Sequence, residues 1–156
     1  MSNLLVVMLG CALGGAMRYL ITTYINKLGY FPYGTLAVNL IGCFLIGMIA
    51  TLLTEKIQGT SPYLSLFLTV GFLGGLTTFS SFTNETLILW RTGDFISVLL
   101  NVGLNTFGGL LAAWIGRILI YIGFLIIIKA IQINVSPLSF YNCDINEKTF
   151  NKLKTI

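Results

Sequence analysis

The segment from Gly71 to Phe82, with the sequence GFLGGLTTFSSF, constrains the fold of this chain more than any other feature. It lies inside an apolar stretch long enough to cross a bilayer, yet it holds three glycines and four hydroxyl residues. Non-helical backbone at membrane depth is tolerated only where it is buried in protein or lines a cavity or ion site. The segment therefore predicts a broken membrane helix beside an ion pathway.

The composition excludes most other classes of protein. Of 156 residues, 56% are apolar and only 9% are charged, whereas a soluble domain carries about 25% charged residues. The chain has no histidine, which excludes imidazole catalysis and histidine-ligated metal. No nucleophile–base pair, metal-ligand cluster or phosphate-binding loop is present, so we expect no enzyme activity. The net charge of +4 comes largely from the C-terminal part and indicates a membrane surface rather than nucleic acid.

Four stretches have the length of about 20 mainly apolar residues that a membrane helix needs. They cover residues 4–25, 33–54, 63–90 and 95–116, and Asp94 is the expected N-cap of the last. The first lacks a basic region before it and is interpreted as a retained span rather than a signal peptide. The sequence thus predicts an all-α integral membrane protein with four transmembrane helices, the third of them broken.

The part of the chain after Arg117 is harder to assign. Residues 118–128 are apolar but too short to cross a membrane alone, so they extend the fourth helix, lie at the interface or form an incomplete element. Residues 134–156 are polar and are expected to form a flexible cytoplasmic tail. Lysine and arginine are almost evenly divided between the two sides of the four spans. Because that bias sets orientation, the chain is suited to insertion in both directions.

Several polar residues inside the spans have two possible roles. Arg18 either extends its side chain to the interface or forms an electropositive vestibule that concentrates anions. Asn39 either joins helices through hydrogen bonds or donates to an ion. The carbonyls freed between Gly74 and Thr78 either coordinate a cation or bond to nearby hydroxyls. Gly10 and Gly14 have the spacing of a close helix–helix approach and are interpreted as packing residues.

The residues after the glycines continue the polar character of the third span. Phe79 and Phe82 share one helix face and either pack in the core or present their positive ring edges to an anion. Ser80, Ser81 and Thr83 place hydroxyl donors beside them. Glu85 is the only acid inside a predicted span and is either a satisfied carboxyl or part of a polar track. In span four, Asn101 and Asn105 lie one turn apart and form a polar stripe that faces the bundle or a partner.

At these residues the chain resembles the Fluc/CrcB family of fluoride channels. Four motifs carry the resemblance, which covers about residues 4–116: GGAMRY at 14–19, GTLAVN at 34–39 with Gly42, the segment at 71–82, and LNV at 100–102. The resemblance implies an antiparallel, dual-topology dimer of two four-span subunits with two fluoride pores. Its channel domain corresponds to residues 1–117, and residues 118–156 form an extension of unknown role. One departure is Gly109, which stands where the family often has a hydroxyl.

The resemblance also assigns roles to individual residues. It places the pore at Asn39, Phe79, Ser81 and Phe82, the vestibule at Arg18, and a polar track at Glu85 and Asn101, beside which Ser80 and Thr83 add hydroxyls. It implies a structural Na⁺ at the dimer centre, held by the backbone carbonyls of Gly74 and Thr77 of both subunits.

The function expected from the resemblance is passive, selective export of cytoplasmic fluoride across the cell inner (plasma) membrane, which lowers fluoride toxicity. The expected partners are fluoride, membrane lipid and a second copy of the chain, with no role for nucleic acid. Three alternatives remain: one subunit of a heterodimeric fluoride channel, a packing subunit without transport of its own, and a dual-topology proton-coupled multidrug exporter. The exporter needs a carboxylate at its substrate site, for which Glu85 is the candidate.

Overall fold

A computed structural model describes the backbone of residues 2–53 and 61–153 and the side chains of residues 2–27, 29–53 and 61–131. Within these residues all regular secondary structure is helical, with no β-strand. Four helical stretches are long and apolar enough to cross a membrane: Ser2–Ile25, Tyr33–Thr51, Pro62–Arg91 and Phe95–Ile131. The predicted four-span, all-α fold is therefore confirmed. The predicted end of span two at Thr54 and the loop at residues 55–60 lie outside the described residues.

The first two spans form a helical hairpin. Helix α1 covers Ser2–Ile25, a 3₁₀ turn covers Asn26–Leu28, and α2 covers Tyr33–Thr51. The Gly34 N–H in the first turn of α2 donates to Asn26 Oδ1 at 2.8 Å. The first N–H groups of a helix have no partner within it, so this bond satisfies one of them and joins the turn to α2.

The third span is divided into several segments. They are α3 at Pro62–Ser65, a π-helical segment at Leu66–Leu73, α4 at Gly74–Leu76 and α5 at Phe79–Arg91. Between α4 and α5 the backbone of Thr77 (φ −82°, ψ 156°) and Thr78 (φ −150°, ψ 117°) is extended. The broken helix is confirmed, and the break lies at Thr77 and Thr78, inside the predicted segment, while Gly74 and Gly75 themselves lie within α4. The β-branched threonines favour extended backbone, and Thr78 caps α5 by accepting from the Ser81 N–H at 3.2 Å.

Glycines of α1 allow close contact between this helix and the third span. A Cβ atom on Gly10 would lie 2.6 Å from Phe67 O and 2.8 Å from Gly71 Cα. A Cβ on Gly14 would overlap Phe72 O and lie 2.8 Å from Leu76 N. The two spans thus meet backbone to backbone, as the spacing of small residues in α1 predicted.

The fourth span begins at an N-cap and continues beyond its predicted end. Asp94 Oδ1 accepts from the Ser97 N–H at 3.1 Å, which confirms the predicted cap. Helix α6 (Phe95–Gly103) is followed by a π-helical segment (Leu104–Gly108) and by α7 (Gly109–Leu153). Of the three possibilities for residues 118–128, extension of the helix is confirmed. The tail predicted at residues 134–156 is helical as far as Leu153, because polar composition limits burial but does not prevent local helical hydrogen bonds. Its flexibility and its cytoplasmic location stay predictions, and residues 154–156 lie outside the described part.

Packing contacts divide the chain into a unit of Met1–Ile120 and a unit of Tyr121–Ile156. Within the first unit the cluster of buried apolar residues is small and consists of Val38, Leu73 and Leu76, while Leu89 and Val98 are buried outside it. Two polar side chains are buried as completely as this core, with Thr35 1% exposed and Asn101 0% exposed. The core thus packs Val38 of α2 against Leu73, the last residue of the π-helical segment, and Leu76, the last residue of α4. The break in the third span begins at the next residue, Thr77.

Candidate functional site

The side chain of Asn39 in α2 is bound to the extended backbone of the break. The Thr78 N–H donates to Asn39 Oδ1 at 2.9 Å, and Asn39 Nδ2 donates to Thr78 O at 3.2 Å. Both polar groups of the Thr78 backbone are thereby satisfied by one amide. Because unpaired backbone groups at membrane depth are costly, Asn39 stabilises the broken conformation of the third span.

The second hydrogen of the Asn39 amide is also donated. Asn39 Nδ2 donates to Asn105 Oδ1 at 2.8 Å, across to the π-helical segment of the fourth span. Since an amide group carries only two donor hydrogens, Asn39 has none left. An anion that binds here must therefore replace Asn105 Oδ1 or Thr78 O as the acceptor.

A cavity of about 580 Å³ opens beside this amide. Asn39, Thr78, Phe79, Phe82 and Asn105 line it, together with Gly42, Cys43, Ile46, Thr69, Leu73, Gly74, Thr77, Thr106, Gly109, Leu110 and Ala113. Every one of these residues is uncharged. The cavity therefore combines amide, hydroxyl and aromatic groups, which attract an anion weakly without a full positive charge.

The two phenylalanines at the cavity form a tilted pair. Their ring centroids are 5.5 Å apart with an interplanar angle of 52°. Phe79 is 79% exposed in the single chain, while Phe82 is half-buried. Aromatic rings carry positively polarised edges, so the pair adds to the cavity lining a type of group that can stabilise an anion without a full charge.

Two backbone carbonyls at the break have lost their helical partners. The Thr78 N–H, which would close a helical turn on Gly74 O, donates to Asn39 Oδ1 instead. The Ser81 N–H, which would close the next turn on Thr77 O, donates to Thr78 Oγ1. Thr77 O accepts from Arg18 Nη1 at 3.4 Å. Arg18 therefore points towards the break, and its guanidinium occupies one of the two lone pairs of Thr77 O.

The remaining hydroxyls predicted for the pathway bond within the third span. Ser80 Oγ lies 3.3 Å and Ser81 Oγ 3.1 Å from Thr78 Oγ1, while Thr83 Oγ1 donates to Phe79 O at 2.9 Å. Ser80, Ser81 and Thr83 do not line the cavity, whereas Asn39, Phe79, Phe82, Gly74 and Thr77 do. Ser80 and Ser81 are thus linked to the cavity through Thr78.

Glu85 lies away from this cavity. Its Oε1 accepts from Thr35 Oγ1 at 2.6 Å, and its Oε2 is buried without a hydrogen-bond partner among the described residues. It lines a separate cavity of about 210 Å³, together with Asn26 and Pro32 from the end of the first hairpin. The structure thus separates the one carboxylate of the spans from the neutral cavity.

Asn101 is completely buried and does not line the larger cavity. Its Oδ1 and backbone O accept from Asn105 Nδ2 at 2.9 and 3.0 Å, and its Nδ2 donates to Thr86 Oγ1 at 2.9 Å. The polar stripe predicted for span four therefore faces the interior of the subunit.

Two residues of the site were absent from the predicted set, Thr78 and Asn105. Thr78 has the signature of an N-cap, a threonine directly before a helix that starts at a break. Asn105 lies four residues after Asn101, so the two share a helix face, and only its partner across the bundle remained unknown. In both cases the type of interaction was readable from the sequence, but the contact with Asn39 was not.

Residues 5–117 match the sequence profile of the family described as "CrcB-like protein, Camphor Resistance (CrcB)". A protein named fluoride-specific ion channel FluC from Shewanella sp. (strain ANA-3) is 43% identical over 123 residues, which are 78% of this chain and 98% of the relative. The chain belongs to the CrcB family. A second CrcB relative of the same name, from Flavobacterium psychrophilum, is 42% identical over 121 residues, or 76% of this chain and 97% of the relative. Both CrcB relatives are named as ion channels, in agreement with the expectation that the chain is not an enzyme.

Proposed function

We propose that this chain is a fluoride-selective channel that lets cytoplasmic fluoride leave the cell down its electrochemical gradient. The observation that carries the proposal is the neutral cavity at the break, where the Asn39 amide and the Phe79–Phe82 pair line one space. The names of the CrcB relatives, which cover most of this chain, support the same function. Such a channel lowers the fluoride concentration inside the cell.

Selectivity follows from how the cavity replaces water. Fluoride is small and strongly hydrated, and a filter must replace the lost hydration shell with groups of its own. The Asn39 hydrogens are already donated to Thr78 O and Asn105 Oδ1, so fluoride enters by exchanging with a protein acceptor. Each exchange breaks one hydrogen bond and forms another, which keeps the ion weakly bound and able to leave. A larger anion that forms weaker hydrogen bonds gains less free energy from this exchange, so it enters the cavity less readily.

The assembly that fits this proposal is an antiparallel dimer of two inversely inserted subunits in the plasma membrane. The near absence of a lysine and arginine bias supports insertion in both directions. Exposed large apolar residues of the cavity lining, such as Phe79 at 79% and Leu110 at 67%, are suited to cover by a second copy.

A structural Na⁺ is the cofactor that the proposal includes. Gly74 O and Thr77 O, whose helical donors are turned elsewhere, are oxygen ligands of the type that binds Na⁺ in unwound membrane helices. These carbonyls would hold the ion, which supplies a fixed positive charge near the subunit interface. The Arg18 guanidinium, 3.4 Å from Thr77 O, would repel the ion, so we expect it to move away when Na⁺ binds.

A proton-coupled exporter fits the site less well. It needs a titratable carboxylate where the substrate binds, but Glu85 lines a different cavity from Asn39 and Phe82. Among the residues of the larger cavity there is no acid.

Release of fluoride from liposomes tests the function directly. Purified protein is reconstituted at low density into liposomes loaded with fluoride or with chloride, and efflux is followed with ion-selective electrodes. We expect rapid fluoride release and almost none of chloride, with protein-free liposomes as the control. Equal rates for the two anions would refute selectivity, and no release of fluoride above the protein-free control would refute the channel.

Assembly and Na⁺ are tested separately from transport. Reporters fused to the C-terminus are expected on both sides of the membrane in one population, and a single orientation would favour a heterodimer. Exchange of Na⁺ for N-methylglucamine during purification is expected to shift the gel-filtration peak from dimer towards monomer. An unchanged dimer peak after complete exchange would remove Na⁺ from the proposal.

A further inference from the structure

A row of hydrogen bonds runs from Asn39 through the interior of the subunit. Asn39 donates to Asn105, Asn105 donates to Asn101, and Asn101 donates to Thr86 Oγ1. Thr86 Oγ1 then donates to Phe82 O at 2.7 Å. The row thus begins and ends at two residues of the cavity, Asn39 and Phe82, and crosses from α2 through the fourth span to α5.

Three backbone groups fix the direction of the bonds in the row, and the one in its middle is Asn101 O, which accepts from Asn105 Nδ2 at 3.0 Å. Phe82 O can only accept, so Thr86 must donate to it and must accept from Asn101. Asn101 then turns its Oδ1 to Asn105, which turns its own Oδ1 to Asn39. At the other end the Thr78 N–H can only donate, so it requires Asn39 Oδ1. The Thr78 N–H at one end of the row and Phe82 O at the other therefore require the same orientation of the Asn39 amide.

We propose that Asn101 and Thr86 are positioning residues of the ion pathway, which fix the orientation of the Asn39 amide through Asn105 without touching the ion. The proposal rests on the proposed fluoride channel. Asn101 is 0% exposed, and neither residue lines the cavity. Asn101 and Thr86 would influence the ion through Asn105 Oδ1, the acceptor that faces Asn39.

The role is more specific than support of the fold. Without the Thr86 hydroxyl, Asn101 Nδ2 loses its acceptor, so nothing at that end of the row opposes reversal of the Asn101 amide. Reversal of the Asn105 amide is then opposed only by its bond to Asn101 O and by the bond from Asn39. With the amides reversed, Asn105 presents a donor to Asn39 instead of an acceptor. Asn39 Nδ2 then faces another donor, and the exchange by which an anion enters is disturbed.

The first test compares Thr86→Val with Thr86→Ser. Valine has the shape of threonine without the hydroxyl, whereas serine keeps the hydroxyl that receives Asn101 and donates to Phe82 O. We expect Thr86→Val to lower fluoride flux per folded dimer about tenfold, the size of effect expected for the net worth of one hydrogen bond. Thr86→Ser should restore flux to within about twofold of the unmodified protein.

Thr51→Val is the matched control. The buried Thr51 hydroxyl donates to the carbonyl four residues earlier, Gly47 O, at 2.7 Å, which is the same type of bond as that from Thr86 to Phe82. It lies outside the row, so its loss should leave flux unchanged. Equal flux in Thr86→Val, Thr86→Ser and the unmodified channel would overturn the proposal, and so would an equal loss in Thr51→Val.

A second readout does not depend on transport. The side-chain amide protons of Asn39, detected in ¹⁵N-asparagine-labelled protein and assigned by their loss in Asn39→Asp, report the bond to Asn105. We expect them to exchange with solvent about tenfold faster in Thr86→Val than in Thr86→Ser. If the unmodified protein carries no fluoride, the proposed function fails, and these exchange rates alone decide whether the row positions Asn39. Identical rates in the two variants would refute the positioning role.

Discussion

The packing of α1 against the third span leads to a sharp prediction for two adjacent glycines. In Gly14→Ala the new Cβ would overlap Phe72 O and lie 2.8 Å from Leu76 N. In Gly15→Ala the new Cβ would have no atom within 4 Å. Both substitutions add the same methyl group to the same helix, so only the neighbours differ.

The expected magnitude follows from the type of atoms that are met. A backbone carbonyl cannot rotate away, so the steric cost in Gly14→Ala lies at the upper end for overpacking, about 3 kcal/mol. Replacing glycine by alanine inside a helix gains up to about 1 kcal/mol in either variant. We therefore expect Gly14→Ala to destabilise the protein by about 2 kcal/mol and Gly15→Ala to stabilise it by up to about 1 kcal/mol.

Thermal unfolding in detergent measures this difference. The fraction of protein that remains helical by circular dichroism and monodisperse by gel filtration is recorded against temperature for both variants. A difference of about 3 kcal/mol corresponds to about 6–12 °C in Tm for a chain of this size. Equal Tm values for the two variants would show that α1 does not approach the third span through Gly14.

Three further predictions concern the site, the extension and a helix cap. Phe82→Ile should lose most fluoride flux while the dimer stays folded on gel filtration, because the positive ring edge disappears at a packing cost below about 1.5 kcal/mol; near-normal flux would make Phe82 a packing residue. Truncation after Arg117 should leave fluoride flux largely intact, since the residues of the cavity precede it; loss of the dimer on gel filtration would contradict this. Hydrogen bonds from Ser97 lower the pKa of Asp94 in the folded protein. The contribution of the Asp94 carboxylate to stability is therefore complete above about pH 3.9, the pKa of an unfolded Asp. This contribution is lost as the pH falls through the lower pKa of the folded protein. The drop in Tm between about pH 6 and pH 3 should therefore be smaller in Asp94→Asn, and an equal drop would refute the assignment.

The sequence predicted the spans and the broken helix but not the atoms at which the helix breaks. Hydropathy and length are local properties, and they were sufficient for the four helical stretches. The glycines near the break were assigned to unwinding, whereas Gly71 and Gly75 approach α1. What distinguishes these uses is the neighbour across the interface, and a single sequence does not contain that neighbour.

The candidate site was predictable to a similar extent. Asn39, Phe79 and Phe82 were expected at one place, and they line one cavity. The satisfaction of both Asn39 hydrogens by Thr78 and Asn105 was not foreseen, because it depends on the relative rotation of α2 and the fourth span. The roles of Ser81, of Gly74 and of the other assigned residues stay predictions until flux is measured.

The small core of the subunit has a consequence for how the protein melts. Only Gly10 and Gly14 are buried in α1, while its large apolar residues such as Leu4 and Leu9 are 65% and 63% exposed. In a bilayer or a detergent micelle, such side chains would meet apolar tails both before and after unfolding, so little apolar surface would pass into water. Because exposure of apolar surface to water gives unfolding its large heat capacity, the heat-capacity change per residue should fall well below that of a soluble domain. The free energy of unfolding should then change more nearly linearly with temperature, with its maximum displaced to lower temperature.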